Sequence, residues 1–291
     1  MKNINIFCFG FGQVAKNFIN KIRSENFKLN LSITSTSKTC VKIFESFNYE
    51  NYFFNNQLYD ENLIKKLKDA DYILVSIPPV NGIDIVIKNF SKTLKNCKAK
   101  WITYLSATSV YGNHNDKWVD EDSITKPTSS NGIARLAAEK SWLSLSVEKS
   151  LPLQIFRLSG IYSSKSNVLV RLKSGKVNLI NKQNHFFSRI HVEDIAEILL
   201  KSLSSFKQGE IYNISDDKPS SSEKVTLYGV KLLNINKPKM IDVKDIESGM
   251  LKNFYKDSKK ISNKKMKNFF NYSLKFPTYV EGLSYIKNNL I

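Results

Sequence analysis

Asn5-Ile6-Phe7-Cys8-Phe9-Gly10-Phe11-Gly12-Gln13-Val14-Ala15 decides the fold. Asn5 to Phe9 reads as a strand, the two glycines as a tight turn, and the segment from about Gln13 to Glu25 as a helix. Each small residue in the turn has a job. Gly10 allows the chain to reverse, Gly12 lets backbone amides approach a diphosphate, and Ala15 lets helix and strand pack closely. The helix N-terminus turns its N–H groups and the positive end of its dipole toward the same place. A G-x-G-x-x-A run carries weight only between a first strand and a first helix, and it stands there.

The rhythm continues outward from that turn. Leu29 to Thr34 reads as a second strand, Lys38 to Phe47 as a helix, Tyr52 to Phe54 as a weak third strand and Asn62 to Lys68 as a helix. Tyr72 to Ile77 is apolar throughout, as a strand buried on both faces must be. A helix at Ile83 to Leu94, a strand at Trp101 to Leu105, a helix at Gly132 to Glu148 and a strand at Leu153 to Leu158 follow. This alternation predicts an α/β fold with a doubly wound parallel sheet, the Rossmann arrangement. Beyond Gly160 the pattern loosens into a short helix at Asn167 to Lys173, a short strand at Val177 to Ile180, and a helix at Asp194 to Leu203. A strand at Ile211 to Ile214 and helices at Ser222 to Leu233 and Tyr279 to Leu290 complete it. The expected division is a dinucleotide-binding core over 1–160 and 186–215, with a smaller C-terminal substrate lobe over 161–185 and 216–291.

The turn implies a nicotinamide dinucleotide, with Gly10, Gly12, Gln13, Val14 and Ala15 around its diphosphate. NAD binders usually close the second strand with an Asp or Glu that grips the ribose hydroxyls. No acidic residue stands between Glu25 and Glu45; Thr34, Ser35, Thr36, Ser37 and Lys38 occupy the place instead. Hydroxyls and a cation suit a 2′-phosphate, so NADP is expected in preference to NAD. Ser76-Ile77-Pro78-Pro79 ends the fourth strand where the cofactor would pass, although the prolines also suit a plain strand boundary.

Composition sets the outer limits. With 291 residues, 42% hydrophobic and 12% aromatic, the chain has material for a sizeable core. Its net charge of +18, from 44 Lys and Arg against 26 Asp and Glu, attracts phosphates in general. Only Lys252 to Lys267 is dense in lysine. It is read as a solvated face rather than a nucleic-acid patch. Cys8, Cys40 and Cys97 stand apart, as free thiols in a reducing compartment do. No signal peptide is read in Met1 to Gly12 and no apolar stretch reaches the roughly 18 residues of a membrane span, so a cytoplasmic protein is expected.

Later blocks carry a more specific likeness. Ser106-Ala107-Thr108-Ser109-Val110-Tyr111-Gly112 after the fifth strand resembles the signature of the extended short-chain dehydrogenases/reductases, the nucleotide-sugar epimerase and dehydratase group. Arg157-Leu158-Ser159-Gly160-Ile161-Tyr162, Arg189-Ile190-His191-Val192-Glu193-Asp194 and Tyr212-Asn213-Ile214-Ser215-Asp216-Asp217 match further blocks in order. Ser258-Lys259-Lys260-Ile261-Ser262-Asn263 resembles an epimerase/dehydratase-like bacterial subgroup. The likeness covers nearly the whole chain.

In that group a Ser or Thr orients the substrate, a Tyr exchanges the proton, and a Lys four residues on lowers the Tyr pKa and binds the ribose. The resemblance places these three roles at Ala107, Asn131 and Arg135, and all three residues have changed. Arg135 stays charged and can still bond the ribose hydroxyls. Ser106 and Thr108 are hydroxyls near the right place, and His114 is a loop acid–base candidate, although an exposed loop histidine is the simpler reading because nothing nearby names a partner. Arg157, Arg171 and Arg189 suit an anionic substrate or bridges within the fold. The resemblance thus implies an NADP-dependent oxidoreductase or epimerase of divergent mechanism. Thr108, His114 and Arg135 are its catalytic candidates, and its substrate is small and anionic or sugar-linked. A non-catalytic protein that senses NADPH is the alternative, a homodimer is left open, and nucleic acid is the weakest partner.

Overall fold

Apolar strands and amphipathic helices alternate through the computed structural model of the chain, which describes residues 2–25, 27–175, 177–182, 184–247, 249 and 255–290. Residues 252–254 of the lysine-rich stretch lie outside this description. The first half contains β1 (Lys2–Phe9), α1 (Gln13–Arg23), β2 (Phe27–Ser35), β3 (Cys40–Phe44), β4 (Phe47–Phe53), α2 (Leu63–Lys68), β5 (Tyr72–Val75) and α3 (Ile85–Leu94). β6 (Trp101–Ala107), a 3₁₀ turn (Thr108–Tyr111), β7 (Trp118–Val119), α4 (Ser130–Lys149), β8 (Leu153–Leu158) and β9 (Gly160–Tyr162) follow. The rest is α5 (Val168–Lys173), β10 (Leu179–Asn181), β11 (Arg189–His191), α6 (Val192–Lys201), β12 (Ile211–Ile214), α7 (Ser222–Leu233), β13 (Met240–Asp242), β14 (Lys260–Ile261), α8 (Lys264–Phe270) and α9 (Tyr279–Leu290).

Eight strands form the main sheet in the order β12-β8-β6-β5-β1-β2-β4-β3. β1 pairs in parallel with β2 and β5, β5 with β6, and β2 with β4, as the doubly wound reading requires. One face is covered by α2, α3 and α4, whose Leu63, Leu67, Phe90 and Trp142 pack with Phe7, Phe9, Ile73 and Tyr104 of the strands. On the other, Phe18 of α1 stacks on Trp101 at 5.9 Å, and α6 lies alongside through the Lys21–Glu197 ion pair. Trp101 also donates its indole N–H to Ser202 at 3.0 Å, so burying the ring leaves no unpaired donor.

One expected element is wrong in kind. Lys38 to Phe47 is not a helix: Cys40–Phe44 is an edge strand that turns back antiparallel to β4 through Glu45 and Ser46. Both turn residues have positive φ (46° and 64°), the requirement of a two-residue type I′ hairpin. Cys40-Val41-Lys42-Ile43-Phe44 alternates with period two, and Val41 and Ile43 stand 66% and 72% exposed on one face. Two exposed β-branched residues mimic the apolar side of a helix. The Glu-Ser turn lacks the Asn-Gly or Asp-Gly that normally announces a hairpin. β4 accordingly begins at Phe47, ahead of the weak strand read at Tyr52 to Phe54.

The chain divides into two compact units, Met1–Ala107 with Ile133–Arg157 and Ala196–Tyr212, and Thr108–Gly132 with Leu158–Ile195 and Asn213–Ile291. The first carries most of the sheet. The second has its own core, in which Leu169 and Leu172 of α5, Val225 and Val230 of α7, and Leu283 and Ile286 of α9 pack with Tyr162. Small parallel pairs, β9 with β11, β10 with β13 and β7 with β14, tie its loops together. Of these strands the sequence pattern offered β10, read at Val177 to Ile180; the others escaped it because two or three residues give no measurable period. Among the described residues no helix is long and apolar enough to cross a membrane.

Buried polar groups of the second unit make its stability depend on pH. Asp194 accepts from the Tyr272 hydroxyl at 2.7 Å and from the amides of Lys275 (2.7 Å) and Phe276 (3.1 Å), pinning that segment to the start of α6. Beside it the His191 ring lies 4.1 Å from Phe276 and 5.0 Å from Tyr162 between centroids, and its Nδ1 accepts from the Glu193 amide at 3.3 Å. Burial pulls its pKa down to about 4, outweighing the nearby Glu193 carboxylate; Lys275 pushes the same way as burial. A histidine depressed in the folded state contributes stability that is present above its unfolded pKa of roughly 6.5 and lost as pH falls toward 4. His191→Phe should therefore gain on the wild type by about 1–3 kcal/mol between pH 7 and pH 4.5 in urea titrations. Asp216, pushed up to about 8 by burial, contributes the opposite slope, but it does so in both proteins and cancels in the difference. Parallel pH curves for the two proteins would refute the assignment.

Candidate functional site

β1 ends at the glycine turn, and three strand ends are fastened there. Gly10 has φ +86°, and a Cβ on it would fall 2.6 Å from Ile77 Cγ2 and 2.9 Å from Ser76 Oγ. Only glycine permits both that backbone and that approach. The Ser76 hydroxyl donates to the carbonyls of Phe9 (3.0 Å) and Gly10 (3.2 Å), while the Gly10 amide donates to Thr34 Oγ1 at 3.1 Å. The ends of β1, β2 and β5 thus form one rigid rim, which brings Gly10, Ser76 and Ile77 together; Pro78 is exposed just beyond.

Gly12 differs from Gly10. Its backbone is ordinary (φ −79°, ψ −172°), yet a Cβ there would meet nothing within 4 Å. It occupies the N-cap of α1, no side chain caps the helix, and the first turn holds no acidic residue. The intrahelical ladder starts with the Lys16 amide on the Gly12 carbonyl at 3.0 Å. Gln13 is exposed, whereas Val14 and Ala15 are buried, Ala15 completely, as close helix–strand packing demands.

The loop after β2 is exposed and held from below. Asn51 of β4 is fully buried, and its amide oxygen accepts from Ser35 Oγ at 2.6 Å while its Nδ2 donates to the Lys38 carbonyl at 2.9 Å. Ser35 and Ser37 share a hydrogen bond of 2.7 Å, and Lys42 Nζ of β3 donates to Ser37 Oγ. Thr36, Ser37 and Lys38 face solvent. Lys42 and Asn51 carried no signal in the sequence: one lay in a segment read as helix, the other in a stretch crowded with asparagine.

At the end of β6 the Ser106 side chain is buried, and among the described residues none hydrogen-bonds its hydroxyl. Arg135 of α4 donates through Nη1 to the Leu105 carbonyl at 2.6 Å and to the Tyr104 hydroxyl at 3.2 Å. Arg135 is therefore anchored beside Ser106 along the strand. Tyr104 is no substitute for the missing tyrosine. It is fully buried, its ring lies 5.9 Å from Trp142 in a stack, and burial drives its hydroxyl well above the ordinary tyrosine range despite the Arg135 charge. Trp142 in turn donates to Asp84, which caps α3.

The remaining candidates lie in the second unit. Thr108 opens the 3₁₀ turn and is half-buried; Asn131 is exposed in the first turn of α4. His114 Nε2 sits 3.1 Å from the Tyr111 carbonyl and 3.0 Å from the Ile124 carbonyl, so the ring also braces its own loop. Arg189 Nη1 donates to the carbonyls of Phe187 and Ser220, each at 2.9 Å. Arg157, in the first unit, is not available to a substrate, because Glu139 engages it in a buried pair at 2.8 Å.

Comparison with known proteins bears on the family and the fold. Residues 45–215 match the model of the NAD dependent epimerase/dehydratase family. No curated protein matches the chain in sequence. Among solved structures, a functionally unknown conserved protein from Silicibacter pomeroyi is 27% identical with a TM-score of 0.86, over 99% of this chain and 98% of that one. A structure described as a putative epimerase from Burkholderia cenocepacia is 13% identical with a TM-score of 0.79, over 98% and 97% of the two chains. UDP-glucuronic acid 4-epimerase from Bacillus cereus, solved with NAD, is 16% identical with a TM-score of 0.76 over 99% of each chain. The last two likenesses are of fold. With the family model spanning more than half of its length, the chain belongs to the NAD dependent epimerase/dehydratase family.

Proposed function

We propose that the first compact unit binds a nicotinamide dinucleotide across the ends of β1, β2, β5 and β6, with NADP(H) preferred to NAD(H). We further propose that the protein is an epimerase- or dehydratase-like oxidoreductase of divergent mechanism. The observation that carries this reading is the open side of Gly12 at an uncapped helix N-terminus, where a diphosphate needs room, amides and a favourable dipole. The residues present fit the rest of the group. Ser35, Thr36, Ser37 and Lys38 take the 2′-phosphate, and Ser76, Ile77 and Pro78 line its path. The Ser106 hydroxyl, unpartnered among the described residues, and Arg135 face the nicotinamide ribose. A nicotinamide ring would supply hydride transfer to or from a substrate carbon.

Proton handling must differ from that of the resembling enzymes, because Ala107, Asn131 and Arg135 replace all three working groups. Thr108 and His114 are the proton-carrying groups we assign to it. The second unit is assigned to the substrate, which is small or nucleotide-linked, with Arg171 and Arg189 as its anion ligands. The expected division, 1–160 with 186–215 for the cofactor and 161–185 with 216–291 for the substrate, is accordingly moved to the bounds of the two compact units, which carry Thr108, His114 and Arg189 on the substrate side.

Isothermal calorimetry on the purified chain tests it. NADPH should bind saturably and at least about tenfold more tightly than NADH, the equivalent of one charge-assisted contact. NADH binding as tightly overturns the preference. No saturable binding of either overturns the whole reading.

A further inference from the structure

The β3–β4 hairpin replaces the crossover helix of a regular doubly wound sheet, and the replacement has a chemical consequence. A helix between β2 and β4 would carry its side chains across the sheet face. The hairpin instead returns a strand past the end of β2. In its register Cys40 faces Asn51, Lys42 faces Tyr49, and Phe44 faces Phe47, so these six side chains share one face. That face looks toward the glycine turn: the Phe11 ring lies 5.3 Å from Phe44 and 5.2 Å from Tyr49. Lys42, half-buried on the same face, reaches the Ser37 hydroxyl at the end of the β2 loop.

We infer that Lys42 is a second cationic ligand for the 2′-phosphate of NADP(H), and that the buried Asn51 amide is the positioning residue that shapes the Ser35–Lys38 loop around it. This rests on the NADP(H) reading above and adds residues from a different element to that site. Two observations carry it. Among the described residues no carboxylate pairs with Lys38 or Lys42. The carboxylates of the hairpin are engaged elsewhere, Glu50 by Lys66 at 2.7 Å and Glu45 near Arg23 at 4.0 Å. Lys42 thus reaches the Ser37 hydroxyl, Lys38 follows that serine in the chain, and among the described residues neither cation has an ion-pair partner. The second observation is the cost of Asn51. An amide buried completely must find partners, and its described partners all belong to Ser35, Ser37 and Lys38. Thr39 Oγ1 accepts from the Phe53 amide at 3.0 Å, and the Phe54 amide donates to the Ser35 carbonyl at 2.8 Å, which closes the loop at both ends. A loop fixed in this way presents its hydroxyls without further ordering when a phosphate arrives.

Calorimetry with NADPH and NADH on the wild type, Lys42→Met and Asn51→Ala decides the matter. Lys42→Met should weaken NADPH about tenfold and leave NADH within about twofold, because the phosphate is the only group that differs. Asn51→Ala should lower the NADPH/NADH affinity ratio by a similar factor, and amide exchange of residues 36–39 should rise while α1 stays protected. Retained NADH binding shows in each case that the fold is intact. A wild type without preference for NADPH removes the parent reading and this one together. If the wild type prefers NADPH and Lys42→Met keeps the full preference, only the role of Lys42 falls. An unchanged ratio in Asn51→Ala removes the positioning role.

Discussion

Gly12→Asp is expected to abolish dinucleotide binding while making the free protein slightly more stable. The two effects have opposite signs because different atoms cause them. Gly12 sits in an extended conformation that any residue adopts, and its missing Cβ faces open space, so the fold has no need of glycine there. An aspartate at this N-cap would accept from the first-turn amides and place a negative charge at the positive end of α1. Together these are worth about 0.5–1 kcal/mol over glycine. The same carboxylate would occupy the place assigned to a diphosphate. Two like charges about 4 Å apart near a protein surface repel by roughly 4 kcal/mol. Binding of NADPH should therefore fall by at least about a hundredfold, with the melting temperature unchanged or raised by roughly 1–3 °C. Gly12→Ala should fall between. Full affinity in Gly12→Asp would mean that the diphosphate lies elsewhere. A large drop in melting temperature would mean that the turn is tighter than its geometry indicates.

That pairing of effects separates two kinds of glycine that look alike in a sequence. Gly10 is required by the backbone, whereas the fold makes no such demand at Gly12, which the proposal assigns to an approaching diphosphate; the spacing of the motif offered both without saying which was which. The strands and helices were readable where a long apolar period met a clear stop: Ser222–Leu233 and Tyr279–Leu290 agree to the residue, and Ile211–Ile214 joins the sheet edge as expected. The hairpin was not readable, since its alternation is short, its exposed face is apolar, and positive φ at Glu45 and Ser46 is a tertiary choice. The same blind spot hid part of the candidate site, because Lys42 and Asn51 reach the β2 loop only through strand pairing. Arg157 shows the converse case, a residue left open between ligand and bridge that the structure puts in a bridge. An arginine in a strand suggests a ligand, but its partner Glu139 lies on α4, and nothing local in the sequence links the two.

That buried pair should be the most costly polar interaction to break. Arg157 is 5% exposed and Glu139 1%, and Nε and Nη2 reach both carboxylate oxygens at 2.8–3.2 Å. Bidentate geometry recovers much of the desolvation cost, so the pair as a whole contributes little net stability. Removing one member is another matter. Glu139→Ala takes the bidentate carboxylate away from an enclosed guanidinium, which cannot shed its charge. The expected loss is about 3–5 kcal/mol, read as a lower urea midpoint at constant slope. Removing both charges should restore most of it: Glu139→Leu with Arg157→Met is expected within about 1–2 kcal/mol of the wild type, since apolar side chains of similar size fill the space without a buried charge. The coupling between the two sites would then be at least about 2 kcal/mol. Glu139 also stands one helical turn beyond Arg135, so its bond to β8 sets the rotation of α4 about its axis. A loss below about 1 kcal/mol in the single variant would mean that water reaches Arg157, and α4 would then be held by Trp142 and its neighbours alone.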